Sequence, residues 1–177
     1  MEFGQADGGD RAGEASMSLR VMSIVHDSVV DGEGLRTVVF VSGCPHRCPG
    51  CHNPSSWRSD AGTLMSVEAV AADVLSNPLT DLTLSGGEPF LQARALAKLA
   101  RIAKEAGRTV WCYTGYTVEE LLQDGTRDQR ELLRLTDVLV DGRFLIERRR
   151  PGLRFRGSDN QRIWKMRNGQ PDELIFV

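Results

Sequence analysis

Apolar residues along this chain keep two different periods. The run "LRTVVFVSG" (35–43) gathers β-branched and aromatic residues and closes on a glycine, which is the strongest strand signal in the sequence. An earlier run, "LRVMSIVHDS", suits a first strand through Val21, Ile24 and Val25. The runs "DLTLSGGEP" (81–89), "RTVWCYTGY" (108–116) and "DVLVDGRF" (137–144) each read as a short strand ending in a turn, and the tail "NQRIWKMRNGQPDELIFV" predicts one or two more strands. Between them the period lengthens to that of a helix. In "SVEAVAADVLSN" (66–77), Val67, Val70, Val74 and Leu75 fall on one face behind a possible N-cap, Ser66. In "LQARALAKLARIAKEAG" (91–107), the apolar face is Leu91, Ala95, Leu96, Leu99, Ile102 and Ala103, with Gly107 as the stop. "TVEELLQ" (117–123) opens on a capping box from Thr117 to Glu120, and "QRELLRLT" (129–136) is a further helical piece.

Strands alternating with helices at short spacing predict βαβ units and a parallel sheet, so the fold class is α/β. Five or six strands in this order fall short of a closed eight-stranded barrel of about 250 residues. The expectation is a partial, open parallel β/α barrel. Residues 1–18 hold no large hydrophobe except Phe3 and two methionines, and predict a disordered tail ahead of a single domain over 19–177. "SGC" at 42, "SGGEP" at 85, "YTGY" at 113 and "VDGRF" at 140 all sit at the C-terminal ends of predicted strands. In parallel α/β sheets ligands bind at that edge, although βα turns also use glycine for turning alone.

Composition narrows the class. With 177 residues, 41% hydrophobic and 26% charged, the chain has the make-up of a soluble globular domain. A net charge of −2 supplies no bulk field toward nucleic acid or membrane. No apolar run approaches the ~18–20 residues that span a bilayer, and the glycine-rich start lacks a signal-peptide core. A cytoplasmic protein is expected, where clustered cysteines bind metal or do redox chemistry more often than they pair. One stretch departs from the balance: residues 143–167 carry nine basic residues against Glu147 and Asp159. It is read either as a solvated face or as a docking surface. It lacks the aromatic array of a nucleic-acid site.

The chemistry concentrates in "SGCPHRCPGCHNP" (42–54), where Cys44, Cys48 and Cys51 stand at C-x3-C-x2-C spacing with His46 and His52 among them. A zinc site of three thiolates plus one histidine is one reading, though all four ligands would lie within nine residues. An iron–sulfur cluster is the other. A cube normally takes four cysteines, so three would leave one iron open to a substrate or cofactor. Cys112 sits in an apolar strand and reads as a buried core thiol.

C-x3-C-x2-C is the signature of the radical S-adenosylmethionine (SAM) enzymes. The longer run "VDGEGLRTVVFVSGCPHRCPGCHNPSSW" (30–57) resembles the activating enzymes of glycyl radical enzymes. With "LSGGEP" (84–89), "YTGY" (113–116) and "LVDGRFLIERRRPGLRFRGSDNQRI" (139–163), it is most similar to the group that acts on anaerobic ribonucleoside-triphosphate reductase. The resemblance implies a radical SAM oxidoreductase with one [4Fe-4S] cluster on Cys44, Cys48 and Cys51, and SAM on the fourth iron. It implies cofactor contacts from Gly50, Cys51, His52, Gly86, Gly87 and Glu88, with Glu88 facing the SAM amino group and His52 near the adenine. It implies no catalytic side chain beyond these, and an electron donor such as flavodoxin. Reductive cleavage of SAM would yield methionine and a 5′-deoxyadenosyl radical, which takes hydrogen from a glycine of the partner. Two alternatives stay open here: another glycyl radical enzyme or a peptide as target, and a non-catalytic zinc module.

Overall fold

The computed structural model describes residues 17–175, so nearly all of the predicted tail lies outside the described residues. Order is already set at Ser18, which pairs with Ser66. The strands are β1 (Ser18–Ser28), β2 (Arg36–Val41), β3 (Thr63–Ser66), β4 (Asp81–Gly86), β5 (Val110–Tyr113), β6 (Val138–Asp141), β7 (Arg162–Arg167) and β8 (Gln170–Ile175). They form one sheet in the order β3-β1-β2-β4-β5-β6-β7-β8.

The four inner strands, β2, β4, β5 and β6, are parallel as expected. The flanks are not, which corrects the expectation of a parallel sheet throughout: β1 runs antiparallel to β2 and β3, and β7 runs antiparallel to β6 and β8. The link from β1 to β2 is too short for a crossover helix, so the chain reverses. At the other edge Asn168 (φ 52°) and Gly169 (φ 78°) are both left-handed, the backbone of a tight hairpin that joins β7 to β8. The architecture is α/β around a mixed sheet.

The helices are α1 (Val67–Leu75), α2 (Ala93–Glu105), α3 (Val118–Asp124) and α4 (Arg127–Leu135). Ser66 caps α1 by accepting from the Ala69 N–H, and the Thr117–Glu120 capping box opens α3. A second box, Thr126–Gln129, opens α4 two residues before the expected start. A 3-10 turn over Pro89–Gln92 precedes α2, and it leaves Leu91 exposed instead of on the apolar face.

Side-chain alternation divides the sheet into two faces. Val39 and Val41 of β2, Leu82 and Leu84 of β4, Val110 and Cys112 of β5, and Leu139 of β6 pack with the helices in the main core. Trp111 and Tyr113 of β5 and Val140 of β6 point the other way, with Ile163 and Phe155. On that second face Arg36 is buried, its guanidinium donating to Thr83 Oγ1 (2.6 Å) and to the carbonyls of Leu82 (2.6 Å) and Thr109 (3.2 Å). Burial pulls its pKa down to about 10, partly offset by Asp81, so it remains a cation beside the Trp111 ring.

Among the helices, Arg101 of α2 reaches Glu131 of α4 (2.5 Å), and Arg134, one turn along α4, holds the same carboxylate (2.8 Å). Arg134, with Arg101 behind it, holds the Glu131 carboxyl down at about 2. The folded value lies below the ordinary 4.5, so the unfolded chain takes up the proton first as pH falls. The stabilisation is therefore complete above pH 4.5 and lost between 4.5 and 2. The site is partly solvated, and the expected contribution is about 1 kcal/mol. Urea melts of Glu131→Gln should show that deficit at pH 7 and a shrinking one as pH drops through this window.

Candidate metal and cofactor site

The loop after β2 carries the three clustered cysteines. It leaves the sheet at Ser42, and the Gly43 N–H donates to the Ser56 carbonyl (2.7 Å), which closes the loop on itself. Inside it, Arg47 (φ 46°) and Gly50 (φ 73°) adopt left-handed backbone, which curls the chain between the thiols. Gly50 is held to this residue type by its neighbour as well, because a Cβ there would lie 2.5 Å from Ile146 Cδ1.

Cys44, Cys48 and Cys51 are half-buried free thiols, and all three line one cavity of about 590 Å³ on the helix-free face of the sheet. Its other walls come from the same strand edge: Ser85, Gly86 and Gly87 at the end of β4, Tyr113, Thr114 and Gly115 at the end of β5, and Gly142 and Phe144 after β6. The four glycine-bearing turns that the sequence places at strand ends thus meet around one space. Val29, Val30, Asp31, Phe40 and Phe155 complete it, and none of these was singled out from the sequence. Asp31 lies in the "DGEG" loop and Phe155 in the basic stretch; neither segment carries a periodicity that would reveal an inward-facing side chain.

Each expected site residue has a definite place. Cys51 and His52 line the cavity, with the His52 ring tilted against Phe144 at 5.0 Å; Gly50, just before them, is not among the lining residues and lies against Ile146. The Asn53 N–H donates to Cys51 Sγ (3.4 Å). Gly86 and Gly87 line the cavity but also serve the protein's own backbone. The Gly87 N–H donates to the Val41 carbonyl (2.7 Å), and a Cβ on Gly87 would sit 2.3 Å from the Gly43 carbonyl oxygen. The "SGGE" turn is thus pressed against the root of the cysteine loop.

Glu88 stands apart from the expectation of a carboxylate offered to a ligand. Its side chain is 0% exposed and paired with His46 at 2.8 Å. Oε1 accepts from the Phe90 N–H (3.0 Å) and the Thr114 hydroxyl (2.9 Å), and Oε2 from the Gly115 N–H (2.8 Å) as well as His46. His46, weighed from the sequence as a possible zinc ligand, is the partner that sequence reasoning missed. The two are 42 residues apart, and no local pattern could join them.

Burial decides the protonation of the groups around the cavity. Burial pushes the Cys44 thiol up, while the backbone N–H groups of His46 and Arg47 pull it down. A bound metal would reverse the balance and take the thiolate. Burial, with Asp31 adding to it, keeps the Tyr113 hydroxyl protonated. Cys112 is fully buried among the helix-side core residues, on the opposite face from the cavity, and burial raises its thiol strongly. It cannot serve as a fourth ligand.

These residues fit a three-cysteine cluster. Three thiols line one cavity while the fourth cysteine lies on the other face, which is the donor count of such a cluster. Among the described residues, no group of three or more His, Cys, Asp or Glu side chains is placed to hold a single metal ion. His46 gives Nε2 to Glu88, which leaves only Nδ1 for any other partner.

The comparisons with known proteins agree with this chemistry. The family model described as "4Fe-4S single cluster domain" matches residues 30–164. The chain is 39% identical over 150 residues to the anaerobic ribonucleoside-triphosphate reductase-activating protein of Haemophilus influenzae, covering 78% of this chain and 93% of that protein. Its counterpart in Pasteurella multocida is 42% identical over 149 residues (77% and 91% covered). That of Escherichia coli K12 is 37% identical over 150 residues (78% and 94%).

The thiols can be sorted by iron content. After anaerobic reconstitution, Cys44→Ala, Cys48→Ala and Cys51→Ala should each lose most bound iron and sulfide. Cys112→Ala should keep both and lose only about 1–2 kcal/mol of stability from the small cavity it leaves. Equal iron loss in Cys112→Ala would overturn the ligand assignment.

Proposed function

This chain belongs to the anaerobic ribonucleoside-triphosphate reductase-activating family and its 4Fe-4S single cluster domain, and from that premise we propose that it is a radical SAM activase that installs a glycyl radical on anaerobic ribonucleoside-triphosphate reductase. The observation that carries the reading is the count of thiols in the cavity: three line it, and the fourth cysteine faces the other side of the sheet. A cluster bound there would supply the one-electron reduction of SAM that ends in hydrogen abstraction from a glycine of the partner.

The protein's part is to hold, orient and exclude water. Cys44, Cys48 and Cys51 would hold the cluster. The backbones of Gly86 and Gly87 and the run Gly50–Cys51–His52 would receive SAM, with His52 as the candidate neighbour of its adenine. Phe40, Tyr113 and Phe155 give the cavity an apolar lining that shields a reactive radical from solvent. The parallel strands β2, β4, β5 and β6 with their helices on one face form the open barrel of the radical SAM type, as one domain over 19–177. The electron donor is a flavodoxin-like protein. The setting is the cytoplasm; no described helix is long and apolar enough to cross a membrane.

The basic stretch supports a docking role. Residues 143–156 run along the cavity edge, where Phe144 meets His52 and Ile146 covers Gly50, and Arg154 and Arg156 line the cavity itself. Arg148 and Arg150 are paired with Asp159, but Arg143 and Arg149 are exposed and make no ion pair with a described residue. Val29 and Val30, which line the same cavity as Arg154 and Arg156, are 66% and 70% exposed. A rim that is basic and apolar fits an acidic surface around the partner's glycine loop.

Two measurements test the reading. Reconstituted protein should hold about four iron and four sulfide per chain and, once reduced by dithionite, cleave SAM to methionine and 5′-deoxyadenosine. One zinc, no sulfide and no cleavage would refute it. Arg143→Glu with Arg149→Glu should leave that cleavage at the wild-type rate while slowing radical installation about tenfold at low salt, a gap that closes as salt rises.

A further inference from the structure

The contacts around Glu88 assign it a task other than ligand binding. Its carboxylate is wholly removed from water, yet four donors from three separate stretches converge on it: His46, Phe90, and the pair Thr114 and Gly115. An ionised carboxylate has about four lone-pair positions, so none is left for another donor. The His46 side chain, 4% exposed, is held from every side. Its Nε2 lies 2.8 Å from Glu88 Oε2, its ring meets the edge of Tyr116 at 4.6 Å, and its Cδ2 would be 2.3 Å from a Cβ on Gly115. Since the carboxylate can only accept, Nε2 carries the proton and donates.

His46 lies two residues from Cys44 and two from Cys48. A side chain locked at that point fixes the backbone between two of the three thiols. We propose that Glu88 and His46 form a clamp that positions the cysteine loop for its cluster, Glu88 acting as a positioning residue from the ends of β4 and β5 and His46 as the part of the loop it grips. The inference rests on the cluster reading above. The turn that presents Gly86 and Gly87 to the cavity thereby also sets where the metal sits. One carboxylate ties the cofactor-facing turn, the loop after β5 and the thiol loop into a single rigid unit, as outer-shell partners do at other metal centres.

The test uses the full chain after anaerobic reconstitution. Iron release to a ferrous chelator is timed, the EPR spectrum of the reduced cluster is recorded with and without SAM, and melting of the metal-free protein is measured alongside. His46→Ala and Glu88→Ala should each speed iron release roughly 10–100-fold. The double variant should be no faster than the quicker single one, because both remove the same contact. His46→Gln, whose amide can donate to the same oxygen, should recover most of the loss. Gly115→Ala, which crowds the His46 ring while keeping both side chains of the pair, should also release iron faster and broaden the EPR signal, while the metal-free protein still melts cooperatively. Wild-type release rates in both His46→Ala and Gly115→Ala would overturn the clamp. So would Glu88→Gln that weakens SAM binding while holding iron as wild type does, since that is the behaviour of a direct SAM ligand. Wild-type protein that assembled no cluster would instead overturn the cluster reading, and the clamp with it.

Discussion

A carboxylate sealed from water must be met by donors or protonated, and Glu88 is met by four. Its partners come from loops that follow three different parallel strands, so the ends of β2, β4 and β5 cannot move independently without leaving a buried charge short of a donor. A second carboxylate repeats the device at the next strand. Asp141, at the end of β6 and also 0% exposed, accepts from the Val118 N–H (2.8 Å) that opens α3 and from the Arg162 guanidinium of β7. Buried acids thus stitch the whole edge that surrounds the cavity. The edge where a parallel sheet places its ligands is also the edge where backbone hydrogen bonding runs out, and here side-chain acceptors take over.

The inner part of this fold is written locally. Residues 35–43 announce β2 by β-branched density, and Ser66 and the Thr117–Glu120 box mark helix starts that the structure keeps. The flanks are written by pairing. Four-residue β3 has no pattern of its own and exists because Ser18–Val21 offers it a partner. The direction of β1 follows from the length of the link to β2, which strand signals do not carry. Leu91 matches a helical period by spacing but falls in the 3-10 turn, whose tighter winding rotates it outward.

The candidate site divides in the same way. Three thiols at fixed spacing in a Pro- and Gly-bearing loop are legible because the chemistry demands residue type and proximity together. That Cys112 faces the helices follows from β-alternation once β5 is placed. The Glu88–His46 pair was not legible, because each residue has an ordinary local context and only the register of β2 against β4 brings their loops together. The inward-facing Phe155 was hidden by its setting among arginines.

Under the proposed function, the three cavity thiols end where a cofactor begins, and the cavity opens toward a glycine that another protein brings. Isotope transfer tests that claim most directly. The partner reductase is prepared with α-deuterated glycine and incubated anaerobically with this protein, SAM and reductant. The account predicts a glycyl-radical EPR signal on the reductase and deuterium in the methyl group of the 5′-deoxyadenosine formed. Cleavage of SAM with neither a radical signal nor deuterium transfer would contradict it.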